Sequence, residues 1–174
     1  MADELLDLVN EKDEIIGEVW KSEANQNPKL YHREIAVIVY DGKYRILFQK
    51  RSLLKKVNPG YWTVTVAGHP DKGEDLLEAA HRELKEELGF DTDLEFFEKD
   101  LGHDSNETHF VYWYKGKFPE DAKITLQKEE VEAAMFISRK DVERIEKSDD
   151  PNKIKLGAQS INMVKKFWKT RGLG

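Results

Sequence analysis

The hydrophobic period of the chain changes at Gly68, and that change limits the folds open to it. Asn58-Pro59-Gly60 is a turn, and residues 61–67 (YWTVTVA) then alternate as a strand does. Across residues 75–88 the apolar positions are 76, 77, 79, 80, 84 and 88, which is close to helical spacing, and Gly89 stands where a helix stops. A strand therefore passes through a loop into a helix. Near the end of that helix Glu83, Glu86 and Glu87 stand at i, i+3 and i+4 and share one face. Three carboxylates gathered there repel one another. A surface helix would more readily offset them with lysines at the same spacing, and Lys85 points elsewhere, although Arg82 could intervene. Hard divalent ions such as Mg²⁺ or Mn²⁺ prefer carboxylate and water oxygens and would relieve the repulsion. By spacing alone, a charged, solvated helix face is the commoner explanation.

The rest of the chain reads as strands with few helices. Leu5–Val9 and Ile15–Trp20 flank the polar NEKDE and form a short hairpin or lead-in, followed by a polar connection over 22–29. Residues 34–40 and 44–49, separated by Asp41-Gly42-Lys43, give a strong strand, turn, strand pattern. Strands are also expected over 94–101, 109–118 and 132–137, with a short helix at 139–147 and an amphipathic C-terminal helix at 156–170. This order predicts an α+β fold, a mixed sheet with helices packed against it. The 174 residues suit one domain with a full core, residues 30–174, preceded by the 1–29 lead-in, as a single compact unit.

Charge and cysteine usage narrow the function classes. With 34 acidic against 28 basic side chains the formal net charge is -6, so nucleic acid held by phosphate contacts alone is not expected. The basic run Lys165, Lys166, Lys169 and Arg171 reads as a solvated helix end. There is no cysteine, which excludes disulfides, cysteine-based zinc sites and a thiol nucleophile. The first residues carry acids where a signal peptide needs bases, and no stretch approaches the apolar length of a membrane span. A cytoplasmic protein with no membrane partner is the expectation.

The whole segment from Gly68 to Phe90 then sharpens the reading. Gly68, five residues, Glu74, seven residues, Arg82-Glu83-Leu84, one residue, Glu86-Glu87, one residue and Gly89-Phe90 fix nine positions in 23. This pattern resembles the motif of the Nudix hydrolases, whose fold is a mixed β-sheet sandwich flanked by helices. The resemblance covers about residues 30–170. It implies that Glu83, Glu86 and Glu87 are metal ligands, or ligands plus a general base, for Mg²⁺ or Mn²⁺. It implies that the backbone carbonyl of Gly68 joins the metal site. It gives Glu74 and Arg82 a structural role as a pair holding the loop to the helix, with Gly89 ending the helix. In some relatives the base lies outside the motif, and of Glu129 and Glu130 the second is the candidate here; a solvated charge cluster is the competing reading. The resemblance also implies a homodimer as the oligomeric state to test.

A finer resemblance runs through His32-Arg33, Lys50-Arg51-Ser52, Pro59-Gly60-Tyr61-Trp62 and Gly68-His69-Pro70. These segments look like the subgroup containing type 1 isopentenyl-diphosphate isomerase. In that subgroup a metal site uses histidines matching His32 and His69 and a glutamate matching Glu107; a second glutamate of that site is matched by His109. The isomerase needs a cysteine at the position of Ala67. This chain instead keeps the full hydrolase motif, so an isomerase-like scaffold doing hydrolase chemistry is expected. For His32 and His69, structural or substrate contact is weighed ahead of metal ligation, with a second metal site from His32, His69, Glu107 and His109 as the alternative.

The substrate expected from the resemblance is a small phosphorylated molecule, a nucleoside diphosphate derivative or related phosphoanhydride. Lys50 and Arg51 could contact phosphate, or form a strand-end ion pair. Tyr61, Trp62, Tyr112, Trp113 and Tyr114 could stack a base, although alternating aromatics in strands are more often core. Competing with hydrolysis are an isomerase-like enzyme, against which Ala67 argues, and a non-catalytic nucleotide-binding module, whose mark would be loss of one of the three glutamates.

Overall fold

A computed structural model of the chain describes residues 3–55, 57–103 and 105–172. In chain order the elements are β1 (Leu5–Val9), β2 (Ile15–Trp20), α1 (Lys21–Ala24), β3 (His32–Tyr40), β4 (Ile46–Arg51), β5 (Trp62–Thr63) and β6 (Val66–Gly68). Then follow α2 (Leu76–Leu88), β7 (Glu95–His103), β8 (Thr108–Lys117), β9 (Val131–Ile137), α3 (Arg139–Lys147) and α4 (Ala158–Thr170). The expected α+β architecture is present: a mixed sheet covered by helices on both faces.

Strand β3 sets the layers because Ile35 through Val39 is an unbroken apolar run that must be covered on both faces. Ala36 and Ile38 face Phe48, Trp113, Met163, Phe167 and Trp168, the side closed by α4. Ile35, Val37 and Val39 face Leu47, Val66, Ala79, Ala80, Leu84 and Leu88, the side closed by α2. Full burial of side chains such as Leu84 and Leu88 contributes about 1.5–3 kcal/mol each. β3 pairs in parallel with β8 from His32↔His109 to Tyr40↔Lys117, and β8 carries β7 antiparallel on its other edge.

One strand expectation holds with little pairing, and another is corrected. The turn at Asp41-Gly42-Lys43 forms, with the Asp41 carboxylate accepting from the Lys43 and Arg45 amides at 2.9 Å each. The flanking strands, however, pair only at Tyr40↔Ile46 and then part. β3 takes β6 and β8 as neighbours, whereas β4 takes β5 and β9. An apolar pattern shows that a strand is buried, not which strands flank it. The single strand expected over 61–67 is likewise two. Trp62 pairs with Lys50 of β4, but Val66 to Gly68 pair with β3, so the chain crosses between partners at Val64 and Thr65. The buried Thr65 hydroxyl secures the crossing by accepting from the Val39 amide at 2.9 Å and donating to the Leu47 carbonyl at 2.7 Å. The polar connection after β2 also opens with the one-turn helix α1.

Helix α2 is defined at both ends by its sequence. The Asp75 side chain caps it by accepting from the Leu77 and Glu78 amides at 2.8 and 3.2 Å. Gly89 closes it in the left-handed region at φ 72°, where an added Cβ would lie 2.8 Å from Thr125 Cβ. Gly89→Ala is therefore expected to cost at least about 1–2 kcal/mol from the backbone conformation, and more from the contact with Thr125. Urea unfolding of the variant checks this; an unchanged midpoint would contradict it.

The N-terminal hairpin β1–β2 is fastened to the motif loop. The Lys72 amide donates to the Leu5 carbonyl at 2.9 Å and the Gly73 amide to the Asp7 carboxylate at 3.2 Å. At the C-terminal end, Lys165 pairs with Glu146 and Lys166 with Glu98, each at 2.7 Å, so these two members of the basic run form surface ion pairs.

Candidate active site

The loop from β6 to α2 brings the motif residues together around Arg82. Its Nε and Nη2 donate to the two oxygens of Glu74 at 2.8 and 2.9 Å, a bidentate pair tying the loop to the helix. Nη1 reaches Glu83 at 2.9 Å and Glu86 at 3.2 Å, and Nη2 reaches the His69 carbonyl at 3.2 Å. Lys85 turns away to Asp91, at 2.9 Å. Gly68 is required by proximity rather than by φ: a Cβ there would lie 2.4 Å from the Glu83 carboxyl carbon. The backbone of β6 thus runs directly against the Glu83 carboxylate.

The three glutamates are not equivalent. Glu86 is half exposed, whereas Glu83 and Glu87 are largely buried. Burial raises the pKa of Glu83, against the pull of Arg82. Burial and the neighbouring Glu83 push Glu87 up to about 8, against a hydrogen bond of 2.7 Å from Gln49 Nε2. Glu130 also lies close enough to push Glu87 upward. It comes from the turn before β9 and is ion-paired with Lys55. The carboxylate chosen outside the motif thus acts on one of those within it, Glu87. Gln49 and Lys55 went unnoticed in the sequence: Gln49 ends an apolar strand, and Lys55 sits in a loop of no period.

The substrate candidates Lys50, Arg51 and Trp62 are each engaged within the fold. Lys50 continues the Ile46 and Phe48 side of β4, the side away from α2, and pairs with Glu132 at 2.9 Å. Arg51 donates to the Val57 carbonyl at 3.1 Å. Trp62 is 8% exposed and belongs to the core beneath α4. Trp113 is core too, and Tyr112 donates to Asp13.

His32 and His109 face each other across the β3–β8 pair, with ring centroids 5.5 Å apart. His69 stacks on His32 at 5.2 Å. Ligand atoms of His32, Glu107 and His109 all lie within 4.8 Å of one another, a cluster that can coordinate a divalent metal. His32 is fully buried, its Nδ1 3.4 Å from the Leu30 carbonyl, and its Nε2 has no hydrogen-bond partner. Burial lowers the pKa of His32 to about 4, and burial together with Lys21 lowers that of His69 to about 3. Both rings are thus neutral at pH 7, the form that binds metal. Lys21, on α1, is ion-paired with Glu4 at 2.6 Å, and its charge also acts on His32, His69 and Glu83. Nothing in the polar sequence around it marked Lys21.

The NUDIX domain model matches residues 30–157. A Nudix hydrolase of Listeria monocytogenes is 34% identical over 144 residues, covering 83% of this chain and 85% of that protein. Isopentenyl-diphosphate Delta-isomerase 2 of Photorhabdus laumondii is 36% identical over 129 residues, covering 71% and 72%. In fold, the chain is similar to a crystal structure of a Deinococcus radiodurans protein, with TM-score 0.76, 21% identity and coverage of 94% and 98%. It is also similar to a MutT protein of Methanosarcina mazei, with TM-score 0.67, 19% identity and coverage of 83% and 96%. The domain match spans most of the sequence and takes in the entire glutamate motif, and on that extent the chain belongs to the Nudix family.

Proposed function

We propose that the chain is a divalent-metal-dependent hydrolase cleaving a diphosphate linkage in a nucleoside diphosphate derivative or related phosphoanhydride. The buried pair Glu83, set against the Gly68 backbone, and Glu87, which both Glu83 and Glu130 push upward, carries this reading. Burial favours the protonated forms of Glu83 and Glu87 until a cation replaces the proton. Glu83, Glu86, Glu87 and the Gly68 carbonyl would hold Mg²⁺ or Mn²⁺, which lowers the pKa of a bound water and offsets charge on phosphoryl oxygens. Arg82 holds Glu83 and Glu86 in place. Glu130 takes the proton of the attacking water. His32, Glu107 and His109 hold a second divalent ion. The acidic, cysteine-free sequence suits a cytoplasmic enzyme.

The isomerase-named relatives and the histidine cluster favour a second reading, a prenyl-diphosphate isomerase. Ala67 opposes it, because a methyl group on β6 can neither give nor take a proton. Isopentenyl diphosphate incubated with the protein and yielding no dimethylallyl product would end that alternative. A binding module without catalysis is disfavoured because Glu83, Glu86 and Glu87 are all present.

The deciding experiment screens nucleoside triphosphates, nucleotide sugars, dinucleoside polyphosphates and prenyl diphosphates with Mg²⁺ and Mn²⁺. Turnover is expected to vanish on chelation and in Glu86→Gln and Glu87→Gln, with the fold kept; unchanged turnover in both variants sinks the assignment. Glu130→Gln is expected to lower kcat by about 10²–10⁴-fold, as loss of a general base does, while Mg²⁺ affinity is kept. A variant with wild-type kcat would move the base elsewhere. Light scattering tests the homodimer that the family implies.

A further inference from the structure

Glu34 lies on neither the motif nor the histidine–glutamate cluster, yet it grips one member of that cluster. On β3 it stands opposite Val111 of β8, two residues along the parallel register from the His32↔His109 pair, so its side chain shares their face. His109 Nε2 donates to Glu34 Oε2 at 3.0 Å. The other ring nitrogen, Nδ1, lies 4.0 Å from Glu107 Oε1, on the side of the cluster. A second constraint holds the same ring. His109 packs over Gly102 of β7, where an added Cβ would lie 2.4 Å from Nε2 and 2.8 Å from Cε1. A neutral imidazole that commits one N–H to a carboxylate presents the lone pair of its other nitrogen, in a fixed direction. His32 is held in a similar way, its Nδ1 3.4 Å from the Leu30 carbonyl and its Nε2 without a hydrogen-bond partner.

We infer that Glu34 is the positioning residue of this second site: it holds His109 as the Nε2–H tautomer so that Nδ1 faces the ion. The inference rests on the reading that His32, Glu107 and His109 hold a divalent metal. With two imidazoles and one carboxylate, the donor set suits Zn²⁺ or Mn²⁺ better than Mg²⁺, which seeks oxygen ligands. Glu34 touches no reacting group. It acts through the ring it orients.

The test measures Zn²⁺ affinity of the full chain by competition with a chromophoric chelator, with Mg²⁺ in excess to fill the carboxylate site. Visible bands of bound Co²⁺ report nitrogen ligation in parallel. The wild type is expected to bind one Zn²⁺ that His109→Ala loses. Glu34→Ala should weaken binding by about 10–100-fold, as loss of such an outer partner does, and shift the Co²⁺ bands. Glu34→Gln, which keeps an acceptor oxygen and the side-chain shape, should fall between it and the wild type. Gly102→Ala, which displaces the ring without touching Glu34, should weaken binding too. A wild type that binds no Zn²⁺, or a His109→Ala variant that binds it equally well, overturns the metal reading itself. If His109→Ala loses the ion while both Glu34 variants bind like the wild type, the site stands and the role of Glu34 falls.

Discussion

Glu87→Gln is expected to abolish turnover and, in the same protein, to raise the stability of the metal-free fold at alkaline pH. The two effects share one cause. Glu87 is 8% exposed and is pushed to about 8 by burial, by Glu83 and by Glu130. An unfolded glutamate ionises near 4.5. Between these values the folded chain keeps a proton that the unfolded chain has released. Stability of the metal-free protein therefore falls as pH rises through that window, by an amount on the order of a few kcal/mol. Glutamine removes the ionisation and keeps a carbonyl oxygen for the 2.7 Å hydrogen bond from Gln49. Above pH 8 the metal-free variant should melt at a higher temperature than the wild type, whereas at pH 4 the two should agree. Mg²⁺ reverses the order, because it stabilises the ionised wild type and has lost a ligand in the variant. Turnover falls because charge stabilisation at the phosphoryl group goes with the ion, a loss on the order of 10²–10³-fold or more. Calorimetric titration of wild type with Mg²⁺ near pH 7, in buffers of different ionisation enthalpy, should show a proton released on binding. Melting curves of wild type and variant that superimpose at pH 9 without metal would contradict the account.

The sequence disclosed this glutamate as a potential ligand but not as the most perturbed of the three. Helical spacing puts residues 83, 86 and 87 on one face, and the distance back to Gly68 carries the family resemblance. Which of the three is buried depends on β4 and on the turn before β9, and those meet α2 only in the folded chain. Gln49 and Lys55 were invisible for that reason, since neither is close in sequence to its partner. The layers of the fold were legible because β3 and α2 bury one pattern each. The pairing was not, because the crossing at Val64 and Thr65 depends on hydrogen bonds to β3 and β4 rather than on any period of its own. The histidines show the same limit. His32 and His109 lie far apart in the chain, and the parallel register of β3 and β8 places them side by side. Glu34 needed that register and the Nε2 contact together.

Asp13→Ala is expected to unfasten the N-terminal hairpin and, through it, to impair the site. Asp13 occupies the turn between β1 and β2 at φ 64° and is 8% exposed. Its carboxylate accepts from Arg33 Nε at 2.7 Å, from Lys99 and from the Tyr112 hydroxyl. Arg33 Nη2 also donates to the Asp13 carbonyl at 2.7 Å. Burial alone would raise the pKa of Asp13, but the hydrogen bonds from Lys99, Tyr112 and Arg33 outweigh it and hold the group below its ordinary value. The stabilisation is present above the unfolded pKa and is lost as pH falls through the folded one. Removing one partner of a buried pair costs about 3–5 kcal/mol. The lower end applies here because the Lys99 side chain is 37% exposed and water can solvate it. Alanine at a left-handed φ adds about 1–2 kcal/mol. Asn tolerates that backbone and keeps an acceptor oxygen, so Asp13→Asn should lose less. The hairpin also carries the Leu5 and Asp7 contacts that hold Lys72 and Gly73, just before α2, and it leads into Lys21. Amide exchange over β1 and β2 should therefore accelerate in Asp13→Ala before exchange in β3 and β8 does, and phosphate-substrate KM should rise with the carboxylate site intact. Exchange that stays as slow as in the wild type would show that the apolar contacts of Leu6, Val19 and Ala24 hold the hairpin without Asp13.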